Sequence, residues 1–362
     1  MARYIRGALL AAGSAAILFA CGADDSSPGV GGDAGSDGGV DATLDAPGTD
    51  GNTGTDAADS APPPDGNVAD ANDGGGVADA ADASDASDAQ PDVDAGPCGP
   101  NRVFRTAVPL TGGIDGGQND DYNIKLSLDE LSAYFSSNRA GDYDIYSTSR
   151  AARTADFVAA TAVTPLNGVG TLEFWGSPNE ASTLLVLERD SKLYVAARAS
   201  SAVPWGAPVF SPELDVIGDA GAGFYSGQPH LTADGTTLYF ASSIKGSWDI
   251  FRSTRTGSTW TTPVAVDELD TTTALEWAPT VTADGLTVYF GSDRGGTGHV
   301  IWVASRASLA APFGAAHKVA ELDKGQDEWP SWISPDSCRL YFTQKVDVGG
   351  GYQAYRSFVA EQ

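Results

Sequence analysis

Between residue 120 and the C-terminus the chain repeats one short pattern five times, and that periodicity restricts the fold more than any other feature. One copy reads Gln228-Pro229-His230-Leu231-Thr232-Ala233-Asp234-Gly235, then Leu238-Tyr239-Phe240, then Asp249-Ile250-Phe251-Arg252. The next reads Pro279-Thr280-Val281-Thr282-Ala283-Asp284-Gly285, Val288-Tyr289-Phe290 and Val300-Ile301-Trp302-Val303. Tyr134-Phe135 with Asp144-Ile145-Tyr146, and Tyr341-Phe342 with Tyr352-Gln353-Ala354-Tyr355, belong to two more copies. A weaker copy runs through Leu184-Leu185-Val186 and Leu193-Tyr194-Val195. With Phe135, Val186, Phe240, Phe290 and Phe342 as equivalent anchors, the spacings are 51, 54, 50 and 52 residues. A period near 50 made of short β-rich segments is that of a propeller blade, not of a helical solenoid.

Each copy divides into four strands. Asp-Gly turns, a strong hairpin signal, join the first to the second. The fourth is an aromatic-then-Val/Leu segment: Phe157 to Leu166, Trp205 to Leu214, Trp260 to Leu269 and Phe313 to Leu322. Only four copies of it follow the five copies of the first three strands. Phe104-Arg105-Thr106-Ala107-Val108-Pro109-Leu110 has the same pattern and precedes the first blade. The economical solution is an all-β, five-bladed β-propeller over residues 98–362, in which strand 104–110 completes the last blade and removes the open edge. A sixth blade would need one more unit, and no residues are left for it. A β-barrel or sandwich is the competing architecture. Cys98 precedes the closing strand, and Cys338 lies at a turn of the blade that strand should join. A disulfide there would lock the seam, the other reading being two unpaired thiols.

The region before Cys98 has a different character. The chain carries a net charge of −27, and residues 22–97 hold 18 Asp without one Glu, Lys, Arg or aromatic residue. Such a segment cannot bury enough apolar surface to offset its ordering entropy, so a disordered linker is expected. Residues 1–21 read as a secretory signal: Arg3 and Arg6, then a short apolar run, then small residues. Leu18-Phe19-Ala20-Cys21 resembles the bacterial lipobox, which implies lipidation of Cys21 and a membrane anchor; cleavage elsewhere as an ordinary signal peptide is the alternative. Gly22, where an Asp would signal inner-membrane retention, points by the same resemblance to the outer membrane, with the protein periplasmic or surface-exposed.

The repeats resemble the WD40-like repeats of TolB-type propellers. The matching residues are Ser334-Pro335-Asp336 to Phe342, Tyr134-Phe135-Ser136-Ser137-Asn138-Arg139 and Asp142-Tyr143-Asp144-Ile145-Tyr146. The resemblance covers about residues 101–362 and implies the fold rather than a role. TolB has six blades and a separate α/β domain, and this chain lacks that domain, so TolB's role is not implied.

An acidic-aromatic step precedes the first strands: Glu173-Phe174-Trp175, Glu276-Trp277 and Glu328-Trp329, with Asp121-Tyr122 as a looser form. Asp121, Glu173, Trp175, Glu276, Trp277, Glu328 and Trp329 are therefore expected around one channel mouth. There they would serve blade construction, bind a cationic ligand or a stacked sugar, or act as acid and base. No cofactor and no metal-ligand spacing is evident; Ca²⁺ is the one ion the aspartates would suit. His230, His299 and His317 have no such neighbours. An acidic surface argues against nucleic acid. The expected function is a membrane-anchored, non-catalytic cell-envelope scaffold, monomeric, presenting the propeller to a protein or glycan. The alternative is a glycosidase-like enzyme that uses the channel carboxylates.

Overall fold

The computed structural model describes residues 98–216, 224–296 and 298–362. Residues 1–97, with Cys21 and the Asp-rich segment, lie outside the described residues. The described chain is all-β, five four-stranded blades with three short 3-10 turns. From the channel outward, blade 1 is Asp121–Leu126, Ser132–Ser137, Asp144–Ser149 and Thr161–Ala162. Blade 2 is Glu173–Pro178, Leu184–Arg189, Lys192–Ala197 and Val209–Phe210. Blade 3 is Ser226–Leu231, Thr237–Ser242, Asp249–Thr256 and Val264–Ala265, with Thr259–Trp260 paired to the end of its third strand. Blade 4 is Glu276–Val281, Thr287–Ser292, Val300–Ser305 and His317–Lys318. Blade 5 is Glu328–Ile333, Arg339–Gly349 and Tyr352–Glu361, completed on the outside by Val108–Pro109 from the front of the chain.

Each second strand is sandwiched between two neighbouring blades, which is why it is apolar on both faces. Phe135, Phe240, Phe290 and Phe342 are at most 1% exposed and pack toward the preceding blade. The adjacent Tyr341, Tyr239 and Tyr289 face the following one. In blade 2 the Phe position is held by Leu187, which joins the core shared with blade 1, while Val186 faces blade 3. The anchor set read from the sequence therefore misplaced blade 2 by one residue. In a strand of period two, that slip exchanges the faces.

Arginines tie the blades together at the end of the third strands. Arg150, Arg198 and Arg306 donate to the hydroxyls of Tyr341, Tyr134 and Tyr239 of the preceding blades. They lie over Phe157, Trp205 and Phe313, the aromatics that open the fourth-strand segments. Arg255 is the blade 3 equivalent. In blade 2 the tyrosine position is held by Val186, which has no hydroxyl, and the Nε of Arg255 is left without a partner.

The seam closes by three devices. Val108 and Pro109 pair with Val359 and Phe358. Cys98 and Cys338 form a disulfide. Glu130 of blade 1, only 2% exposed, takes the guanidinium of Arg339 of blade 5 at 2.7 Å.

Candidate functional site

Every inner strand carries a bulge, after its second residue in blades 1 to 4 and after its third, Pro330, in blade 5, and this bulge shapes the channel. In four blades the third residue takes a positive φ: Asn123, Trp175, Gln228 and Ala278. Its N–H then points at the neighbouring blade and must find an acceptor there. Thr343, Ser136 and Glu188, all from the second strand of the preceding blade, accept from Asn123, Trp175 and Gln228. Ala241 cannot do so, and Gln228 Oε1 accepts from Ala278 instead. The remaining blade has Pro330 at this place, which has no N–H.

The register places Asp121, Glu173, Ser226, Glu276 and Glu328 at one equivalent position, the first of each inner strand. All four acids are 0% exposed. Three of them are neutralised within their own blade. Arg139 reaches Asp121 at 2.7 Å, Arg189 reaches Glu173 at 2.7 Å and Arg294 reaches Glu276 at 2.9 Å. The same arginines also donate to the carbonyls of Gly113, Leu166 and Leu269, in the crossover that leads into the blade. Each guanidinium thus clamps an inner strand to its incoming crossover while lying over aromatic rings of its blade. Burial raises the Asp121 carboxyl above its usual range despite Arg139.

Glu328 breaks the pattern. Gln344 stands opposite it, where Arg189 stands opposite Glu173, and Val346 follows where Arg139 and Arg294 would. Its Oε1 accepts from the amides of Lys324 and Gln326, and its Oε2 is buried without a partner. Burial raises this carboxyl from 4.5 to about 7, against the lowering by those amides.

The second position of the inner strands carries the channel aromatics: Tyr122, Phe174, Trp277 and Trp329. They form one cluster with Trp175, Tyr355, Tyr143 and Trp248. Tyr122 stacks on Trp329 at 6.1 Å, and Trp329 meets Trp277 edge-on at 6.0 Å. Trp175, Trp277 and Trp329 are 3, 3 and 6% exposed, so the indoles fill the channel and offer no open face to a sugar. Phe174 is the true equivalent of Trp277; Trp175 sits one place further on, in the bulge. Gly291 makes room for this packing, since a Cβ there would stand 2.4 Å from the Trp277 ring.

Blade 3 has Gly227 at the aromatic position, and Glu188 of blade 2 occupies the space. A Cβ on Gly227 would meet the Glu188 carboxylate at 1.9 Å. Burial raises Glu188 from 4.5 to about 8, opposed by the Gln228 amide. Further along the channel Lys125 crosses from blade 1. It donates to the Ser331 carbonyl of blade 5 and lies 3.4 Å from His230 Nδ1 of blade 3. Burial lowers Lys125 from 10.5 to about 7 and holds His230 well below its ordinary value. His230 Nε2 accepts from Val281 N–H, so this histidine joins two blades. His299 pairs with Asp327 at 2.9 Å, and His317 is exposed on an outer strand. Among the described residues one acidic group could hold a metal, Asp249 with Asp270 and Glu276, whose oxygens lie within 4.8 Å. Lys245 and Arg294 already pair with two of the three.

The raised Glu188 carboxyl gives a pH prediction. Below 4.5 it is protonated in both the folded and the unfolded chain. Between 4.5 and about 8 only the folded state keeps the proton, so this group's contribution to stability falls as pH rises through that window. Glu188→Gln keeps the acceptor for Gln228 and removes the titration. Denaturant midpoints should match wild type near pH 4 and exceed it above pH 8, since raising the carboxyl from 4.5 to about 8 corresponds to roughly 5 kcal/mol at about 1.4 kcal/mol per pH unit. Equal midpoints at both pH values would rule this out.

No family model matches the chain, and no curated protein matches it. Solved structures do. The catalytic domain of the Coprinopsis cinerea GH62 α-L-arabinofuranosidase aligns with 72% of this chain and 97% of its own, at 13% identity and a TM-score of 0.49. The Podospora anserina α-L-arabinofuranosidase PaAbf62A covers 72% and 96%, at 16% identity and a TM-score of 0.44. A putative TolB from Agrobacterium tumefaciens covers 66% and 74%, at 14% identity and a TM-score of 0.39. No residue role is carried over from any of them.

Proposed function

We propose that this chain is a non-catalytic binding scaffold of the bacterial cell envelope, held to a membrane through a lipidated Cys21 and presenting its propeller to a protein or glycan. One observation carries the reading. Asp121, Glu173 and Glu276 occupy equivalent positions, and each is spent on an arginine of its own blade. Acid-base catalysis needs carboxyls held in different environments. Here the environments repeat, and the aromatics that could hold a sugar are packed on one another. Among the carboxyls at the first inner-strand position, Glu328 is the one that speaks for the glycosidase-like alternative, because a carboxyl raised to about 7 suits a general acid.

The full chain tested on a glycan array and on a panel of chromogenic glycosides, arabinofuranosides included, separates the two. The scaffold reading expects no turnover above background, in wild type and in Glu328→Gln alike. Hydrolysis that disappears in Glu328→Gln with the fold intact would establish the enzyme. Anchoring is tested separately: Cys21→Ala should move the protein from the detergent phase to the aqueous phase.

A further inference from the structure

Antiparallel blades have two ends, and the charges are divided unequally between them. One end, here the proximal face, carries the turns between inner and second strands, the C-terminus and Cys98, to which residues 1–97 are joined. The other, the distal face, carries the blade crossovers and the turns between second and third strands. Acidic residues outnumber basic ones more than two to one in the distal loops and strand ends, and the two balance on the proximal side. The distal cations are nearly all committed already: Arg139, Arg189, Lys245, Arg294, Lys318 and Arg356 each pair with an acid of the same face. Asp190, Glu213 and Asp347 are exposed there and Asp142 half-buried, and among the described residues no ion pair neutralises them.

Two further observations set this face apart. Glu328 lies under the distal turn 324–326, which donates to one of its oxygens while the other has no partner. The repeat calls for a cation at this place, and Gln344 and Val346 stand at the positions that carry it in the other blades. Beside it, the second and third strands of blade 5 run on to Gly349 and from Tyr352, well past the six-residue second strands of the other blades. The resulting ribbon stands on the distal face, with Tyr352 57% exposed and Asp347 exposed at its tip.

We propose that the distal face is the docking surface for a Lys/Arg-rich polypeptide segment lying against the blade 5 ribbon. The proposal names the partner class of the scaffold described above, but it does not depend on the lipid anchor. The distribution of charge selects the class. The acids are spread around the ring, which suits an extended polycation better than a single metal ion. The one described carboxylate triad already holds Lys245 and Arg294. An anionic lipid surface or a nucleic acid would be repelled.

The test is binding of a short labelled Lys/Arg-rich peptide to the full chain at physiological ionic strength, with a Glu/Asp-rich peptide as control. The Asp-rich residues 22–97 are a second polyanion in the same chain, so three variants are compared. Asp142→Asn/Asp190→Asn/Glu213→Gln/Asp347→Asn removes distal charge. Asp129→Asn/Asp156→Asn/Glu180→Gln/Glu361→Gln removes as much from the proximal face. The third variant changes every Asp of 22–97 to Asn. The distal set should weaken binding by about tenfold, the sum of several modest charge contacts, and the other two by less than about twofold. Wild-type affinity in the distal variant overturns the proposal, and so does a loss that follows the linker or the proximal set equally. Glycoside turnover would overturn the scaffold reading and leave this result untouched.

Discussion

Replacing both seam cysteines, in Cys98→Ser/Cys338→Ser, should lower the unfolding free energy of the propeller by about 4 kcal/mol, measured by guanidinium denaturation without reductant. The bond closes a loop across a sequence separation of 240 residues. The chain-entropy cost it removes from the folding reaction approaches about 5 kcal/mol at such lengths, and measured values usually fall below the model. The other attachments at the seam are weak by comparison. The closing strand pairs at only two positions, Val108 with Val359 and Pro109 with Phe358. The Glu130–Arg339 pair and the Gly99–Gln362 hydrogen bonds remain in the variant. Amides of Arg105 and Leu110, which donate to Glu361 and Ser357, should therefore exchange first. A variant within about 0.5 kcal/mol of wild type would show that those contacts suffice to close the ring.

Arg294→Met is expected to cost about 3 kcal/mol. It strands Glu276, fully buried, without its cation, and it frees the Leu269 carbonyl of the crossover. The methionine keeps part of the packing against Phe290 and Trp302, so most of the loss is electrostatic. Arg294→Met/Glu276→Met should regain much of the stability, because a buried ion pair replaced whole by apolar groups is often close to neutral. The reverse experiment is available in blade 5, where Val346→Arg should supply Glu328 with the missing partner. The double variant being no more stable than Arg294→Met would argue against a simple pair.

Much of this architecture could be read from residues whose meaning is local. The Asp-Gly turns, the Tyr-Phe steps and the stray segment before blade 1 are each a few residues long, and together they give the blades and the seam. Blade 2 was harder because Leu184-Leu185-Val186-Leu187 has no aromatic landmark. An unbroken aliphatic run does not say which residue faces which neighbour, and the anchor fell on Val186 in place of Leu187. The acid-aromatic step is visible in the sequence but the bulge behind it is not, so Trp175 is expected at the channel mouth beside Trp277 and Trp329, where Phe174 holds the equivalent position. The arginines lay in plain view in Ser137-Asn138-Arg139 and Ser292-Asp293-Arg294. Their acids lie 16 to 18 residues upstream and meet them only through antiparallel register. Lys125 and His230 are 105 residues apart and meet only when the ring closes.

The inward carboxylates are held here to be structural, and Glu276→Gln tests that most directly. Its unfolding free energy and its activity on glycosides should be measured together with wild type. The account predicts a loss of about 2 kcal/mol, because a neutral amide weakens the pairing with Arg294, and no glycosidase activity in either protein. A variant as stable as wild type, in which wild-type turnover of a glycoside has vanished, would contradict it.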